Sequence, residues 1–341
     1  MAAIPKMAFV SLIIVVVSTT AYQFTACQKE YISTACPDAD TSPFVWNQAK
    51  EMGNGSFDSE WKPGTFPLGI TPISGTNNHL WMPGQKAIWE SSDGLNWQKY
   101  DKADWGERIS IACVYFKDTM WMFGGMMYQS KEFMNDIWLA ADGKNWIQNP
   151  DNAGWKPRKG HALVVFKNKL WLFGGSDGVA ADLSPNSFLN DIWSSEDGKH
   201  WTLEKTSAEW PPREYPKTLV FKDTLYMLGG QGYSDVWKSA NGKDWTMLTN
   251  TAPWGKRYDH GALVYDNKMW VLGGRAEIST TAFNDIWFSE DGVLWKNQTP
   301  CAPWTKRSAV QSIVFNDQLW LFSGKHTGSK DNWGGDIWTM E

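Results

Sequence analysis

The stretch Asp191-Ile192-Trp193-Ser194-Ser195-Glu196-Asp197-Gly198-Lys199-His200-Trp201 decides the fold, because the chain repeats it. Copies open at Asn135-Asp136-Ile137-Trp138, Ser234-Asp235-Val236-Trp237 and Asn284-Asp285-Ile286-Trp287, and close at Trp146, Trp245 and Trp295. A looser copy runs from Ala87-Ile88-Trp89 to Trp97, and the sequence ends inside a last one, Gly335-Asp336-Ile337-Trp338. Successive first tryptophans are 49, 55, 44, 50 and 51 residues apart. That period fits one four-stranded sheet per repeat, arrayed as the blades of a propeller. In every complete copy the two tryptophans are eight residues apart, with Asp-Gly or Asn-Gly between them, as in Asp142-Gly143 and Asn241-Gly242. These dipeptides accept the positive φ angles of a tight hairpin, so each copy reads as strand, turn, strand.

A second hairpin lies upstream of each copy. Leu163-Val164-Val165-Phe166 and Leu170-Trp171-Leu172-Phe173 flank a short polar turn and lead to Gly174-Gly175. Parallel runs occupy 114–125, 219–230, 263–274 and 313–324. With the strands lettered a to d, 163–166 is strand a, 170–173 is strand b ending at glycine, strand c begins at Asp191 and strand d carries Trp201. Of the 24 tryptophans, all but Trp333 fall on a repeat position in strand b, c, d or the segment after d. A buried indole removes up to about 150–250 Å² from water, roughly 4–6 kcal/mol gross. The repeated tryptophans therefore read as packing between blades rather than as ligand contacts.

Strand-b aromatics at 81, 121, 171, 226, 270 and 320 count six blades. Phe44-Val45-Trp46 reads as a strand d with no a, b or c before it, and 336–340 as a strand c with no d after it. The N-terminal strand is expected to complete the last blade and close the ring without an open sheet edge. The expected layout is all-β: residues 1–26 a signal peptide, 27–42 a tether, and 43–341 a six-bladed propeller of four-stranded antiparallel blades.

Lys6 precedes an apolar run at 7–17, the order of a secretory signal and short for a membrane span. Phe24-Thr25-Ala26-Cys27 resembles a bacterial lipoprotein box, with Phe24 where leucine is usual. The resemblance implies lipid on Cys27 and attachment to a membrane; a freely secreted product and an uncleaved anchor are the alternatives. Export permits disulfides. Cys113 sits in an apolar strand-a run as a buried thiol, while Cys36 and Cys301 are either a pair or two free thiols. A net charge of −5 without a basic stretch argues against a nucleic-acid partner. A monomer is expected.

Gly-Gly at the end of strand b, an aromatic before it and a strand-c tryptophan resemble kelch repeats, the galactose oxidase-like propellers, over residues 44–341. The resemblance implies a fold and leaves function open. The Ser-x-Asp-Gly-x-x-Trp hairpins, Ser91 to Trp97, Ser195 to Trp201 and Ser289 to Trp295, are similar to a shortened Asp-box of sialidase-type propellers. The Phe-Arg-Ile-Pro segment of those enzymes is lacking. A galactose oxidase copper site needs tyrosines and histidines, and His79, His161, His200, His260 and His326 show no metal-type spacing. No metal or cofactor is expected.

Spacing also locates a candidate face. The step from strand b to strand c is 8, 17, 22, 11, 17 and 18 residues, whereas c to d is always eight. The b–c and d–a connections of an antiparallel blade share a face, so that face carries variable loops on a rigid frame, where function concentrates. It also carries Trp-x-x-Arg, giving Arg108, Arg158, Arg213, Arg257 and Arg307, with Gly64 in blade one. Kelch proteins often place an arginine at the channel mouth, and five cations there suit a carboxylate, a sulfate or an acidic peptide. Strand c starts with Asp136, Asp191, Asp235, Asp285 and Asp336 in those same blades and with Ala87 in blade one. The arginines and aspartates can equally brace one another. Trp333, in a b–c loop at 325–334 with His326, Lys330 and Asp331, suits stacking on a sugar or anchoring a protein. Tyr128, Tyr233, Arg275 and Glu277 are further loop candidates. Three functions stay open. One is an exported binding or scaffold propeller for a glycan or protein. Another is a sugar-acid enzyme resembling kelch-type sialic acid mutarotases, with Glu214 or Glu277 and His161 or His260 as proton carriers. The third is a structural envelope protein. Spacing fixes no catalytic residue.

Overall fold

A computed structural model describes residues 45–50, 73–74, 78–84, 87–101, 104–178, 187–276, 281–326 and 333–341. The expected signal and tether, with Cys27, Cys36, Gly64 and Glu277, lie outside the described residues. Strands are numbered in chain order. Blade one is β2 (Ile73–Ser74), β3 (Leu80–Pro83), β4 (Ile88–Ser91) and β5 (Gln98–Tyr100). Blade two is β7 (Ala112–Phe116), β8 (Thr119–Met127), β9 (Phe133–Ala140) and β10 (Ile147–Gln148). Blade three is β11 (Ala162–Phe166), β12 (Lys169–Ser176), β13 (Phe188–Ser195) and β14 (Thr202–Lys205). Blade four is β15 (Lys217–Phe221), β16 (Thr224–Gly230), β17 (Tyr233–Ser239) and β18 (Thr246–Thr249). Blade five is β19 (Gly261–Tyr265), β20 (Lys268–Arg275), β21 (Ala282–Ser289) and β22 (Trp295–Thr299). Blade six is β24 (Gln311–Phe315), β25 (Gln318–His326), β26 (Trp333–Met340) and β1 (Trp46–Lys50). Two short strands, β6 (Arg108–Ile109) and β23 (Arg307–Ser308), pair with β8 and β25. The a strands approach their neighbours around the central axis.

The N-terminal strand closes the ring as its isolated d-type sequence implies. β1 pairs antiparallel with β26, Trp46 opposite Met340 and Gln48 opposite Trp338. The strand begins at Trp46 rather than before it, and Val45 is 55% exposed. Trp46 is the anchor: its ring meets Trp304 edge-on with centroids 4.4 Å apart.

The glycine pair does not end strand b in blades two, three and five, nor does Ser323-Gly324 in blade six. The strand kinks there, with a register shift at Phe123/Gly125, Phe173/Gly175, Leu272/Gly274 and Phe322/Gly324. Gly174 has φ 58°, and a Cβ there would fall 2.9 Å from the Arg213 carbonyl oxygen of the next blade. Only glycine fits that backbone and that approach. Past the kink the strand continues, so strand c also starts earlier than the aspartate.

Packing between blades follows one rule. The c–d turn glycine of each of blades one to five sits on the strand-b aromatic of the preceding blade. A Cβ on Gly143, Gly198 or Gly242 would come within 2.7 Å of the ring of Trp81, Trp121 or Trp171, and Gly94 of blade one likewise meets Trp320 of blade six at 2.6 Å. The apolar core is accordingly divided among blade interfaces, as where Trp171 and Phe173 pack with Leu225, Met227, Trp237 and Trp245. Cys301 is disulfide-bonded, and Cys113 is the free cysteine among the described residues.

Candidate functional site

Each repeated arginine is at most 2% exposed. Each grips the strand-c aspartate of its own blade through two guanidinium nitrogens at 2.6–3.0 Å. In blades two to five the arginine also donates to the first glycine carbonyl of the kink, as Arg213 Nη1 does to Gly229 at 2.9 Å. The aspartate takes a further bond, 2.6–2.7 Å, from the strand-c indole Nε1 two residues on. Asn135, Asn190 and Asn284 use their amide to hold two carbonyls of the following d–a segment. Asn-Asp-Ile-Trp is therefore a structural clasp read residue by residue. Its arginines lie inside blades and are not presented to the channel.

Other expected residues also have local partners. Tyr233 lies against the Arg213 guanidinium, 4.2 Å from ring centroid to Cζ, and Phe283 does the same for Arg257 at 4.3 Å. Tyr128 is 48% exposed with Lys131 Nζ 4.6 Å over its ring. Trp333 is not in a free loop. It opens β26, its backbone paired with Lys325, because strand b runs on past the kink. His161 and His260 pack on Trp155 and Trp254. Burial pushes His161 down to about 3, with Arg158 adding to the effect, and drives His260 well below the ordinary value. Both therefore favour the neutral imidazole.

Two residues after each arginine the backbone turns left-handed: Ser110, Gly160, Tyr215, Asp259 and Ala309 have φ of 53–62°. Such φ is unusual for any residue but glycine and exceptional for tyrosine, and each non-glycine instance costs about 1–3 kcal/mol. All five residues line one cavity of about 180 Å³ among the a strands. Tyr215 spans blade three: a Cβ on Gly160 would lie 3.0 Å from its ring, and its hydroxyl meets Ser110 Oγ of blade two at 2.9 Å. Tyr258 stacks on Tyr215 at 6.0 Å between centroids and carries the Arg275 guanidinium 4.3 Å from its ring centroid. Arg275 Nε is 3.3 Å from Asp259 Oδ2, and Lys159 Nζ is 2.7 Å from Glu214 Oε1. Lys217, the first residue of β15, lines the same cavity.

The charges crowd onto blades three to five, while blades two and six offer Ile111 and Val310 at the cavity wall. Burial raises the Glu214 and Asp259 carboxyls above their usual range, opposed by Lys159 beside the first and chiefly by Arg275 beside the second. Burial likewise lowers the Lys217 ammonium, with Asp259 pulling the other way, and raises the Tyr215 phenol far above normal. Among the described residues no three potential ligands cluster for a metal ion. Of this group, spacing had singled out Arg275 and, as a proton carrier, Glu214. The signal for the others was the variable pair that follows each constant Trp-x-x-Arg.

A family model described as the KLHDC2/KLHL20/DRC7 Kelch-repeats domain matches residues 89–252. No curated protein matches by sequence. By structure 622 solved chains match. One, "Structure of YjhT", has a TM-score of 0.65 at 14% identity, covering 80% of this chain and 95% of that one. A likeness so widespread and so distant in sequence speaks for the fold alone. With the repeat, the clasp and these matches agreeing, the chain is a six-bladed β-propeller whose residues 89–252 are similar to kelch repeats.

Proposed function

We propose that the chain is an exported binding propeller that takes a monosaccharide-sized unit of a glycan at the channel cavity on blades three to five. The observation that supports this most is the left-handed ring. The same backbone carries serine, glycine or alanine in blades two, three and six but Tyr215 and Asp259 in blades four and five. The repeat does not need these charges, and burying them is costly. Titratable groups perturbed by burial in a cavity are a mark of binding sites. A volume of about 180 Å³ lies below the ~300–1,000 Å³ of pockets for drug-sized ligands, which favours one sugar ring over an extended chain. Tyr215 offers aromatic surface, and Lys217 and Asp259 offer partners for hydroxyls. Titration calorimetry with neutral, amino and acidic monosaccharides tests this. Saturable heat with one class, lost in Tyr215→Ala and Asp259→Asn at unchanged melting temperature, is expected. No saturable heat from any of the panel contradicts it.

In the same reading residues 1–26 direct export, Cys27 carries lipid and Cys36 is the partner of Cys301. Intact-mass analysis of the membrane fraction of a bacterial host checks the first two, and non-reducing peptide mapping the third. A second reading, a sugar-acid enzyme of the mutarotase kind, is favoured by the raised carboxyls, since a carboxyl raised above its ordinary range is better suited to general acid work. Anomer interconversion followed by NMR, abolished by Glu214→Gln, would establish it.

A further inference from the structure

We propose that Lys217 is a nucleophilic amine that captures a small aldehyde or ketone in the channel cavity as a covalent imine. The proposal shares with the preceding reading only the cavity as the ligand site. The repeat does not ask for a cation at this step: the equivalent first residues of the a strands are Ala112, Ala162, Gly261 and Gln311. The ammonium makes no ion pair or hydrogen bond among the described residues, although Asp259 lines the cavity and is already matched to Arg275, as Glu214 next to Tyr215 is to Lys159. A lysine that only neutralised a charge would be paired. The groups that face it are Asp259, which attracts the ammonium, and His260, which stays neutral. Tyr215, two residues before it, adds a phenol that remains protonated. Burial leaves more of the amine as free base near neutral pH than on an exposed lysine.

The step is a condensation and needs no oxidant or reductant. The Nζ lone pair adds to the carbonyl carbon, and a proton moves from nitrogen to oxygen to give a carbinolamine. Asp259, whose carboxyl burial makes more basic, takes the proton the ammonium gives up as the amine becomes free base and returns it to the hydroxyl, which leaves as water. A C=N bond remains, and hydrolysis reverses it. Either an open-chain sugar or a 2-oxo acid presents the required carbonyl.

The test is reductive trapping on the full chain, with pyruvate in one arm and glyceraldehyde in the other. Sodium cyanoborohydride fixes any imine, and peptide mapping by mass spectrometry locates it. The expected result is an adduct at Lys217 that forms faster than at the exposed Lys199 and Lys243. The preferred arm tells a 2-oxo acid from a sugar aldehyde. Lys217→Arg keeps the charge without the nucleophile and should lose that adduct at unchanged melting temperature. Lys217 unmodified, or modified no faster than Lys199 and Lys243, overturns the proposal. Calorimetric sugar binding that persists in Lys217→Arg then shows that the cavity still binds without covalent capture, so the two readings fail separately.

Discussion

Two positions two residues apart behave in opposite ways. Arg108, Arg158, Arg213, Arg257 and Arg307 have one chemistry, one partner and one burial in all five blades. Ser110, Gly160, Tyr215, Asp259 and Ala309 have one backbone and five different side chains. The constant position holds the blade together. The variable position decorates a fixed, strained frame at the cavity, where a side chain can change without altering the fold. A row of arginines in a sequence is thus a poor guide to a binding mouth when each has an aspartate waiting on strand c.

The sharpest way to break this contrast is to remove a clasp. Arg213→Ala leaves Asp235 buried beside Trp237 without its counter-ion. A loss of about 3–5 kcal/mol is expected in urea unfolding, and Arg158→Ala and Arg257→Ala should match it because the clasp repeats. A smaller loss belongs to the blade interface. Gly198→Ala places a methyl 2.7 Å from the Trp121 ring at φ 81°, and about 1–3 kcal/mol should follow from the strained φ alone. The mouth should respond least. Tyr215→Gly relieves a left-handed tyrosine while giving up the Ser110 bond, so stability is expected to stay within about 1 kcal/mol.

Acid separates the two positions again. Glu214 and Asp259 bind protons more tightly in the folded chain than when unfolded, so their contribution to stability rises as pH falls from neutral towards the ordinary carboxylate range. Asp259→Asn should flatten that rise in urea unfolding followed across pH. The c–d turns respond in the opposite sense. Burial alone would raise Asp93, but bonds from the Asn96 and Leu95 amides hold it down to about 2. The stability it contributes is present above the ordinary aspartate value and fades as pH falls towards about 2.

Much of the frame was legible. Trp46 without a preceding blade and Trp338 without a following strand d foretold the closing pair, because complementary fragments of one repeat must meet. The glycine closing each strand-b run misled, since a bulge and a strand end have the same composition; Trp333 and His326, beyond Gly324, were assigned to a loop for that reason. The joint absence of arginine and aspartate in blade one signalled the clasp. The indole bond to the aspartate was not legible, because tryptophan reads first as apolar bulk. The mouth escaped for a different reason. Ser110, Tyr215, Lys217 and Asp259 lie on three separate blades, and only the ring brings them to one cavity.

One pair of variants in blade four tests the division of labour most directly: Arg213→Ala and Tyr215→Ala, each measured for melting temperature and for calorimetric binding of the sugar class that the wild type takes. The account predicts that Arg213→Ala melts well below the wild type, and that Tyr215→Ala melts with it and no longer binds. Undiminished binding by Tyr215→Ala, or a folded Arg213→Ala that melts like the wild type and has lost binding, would contradict it.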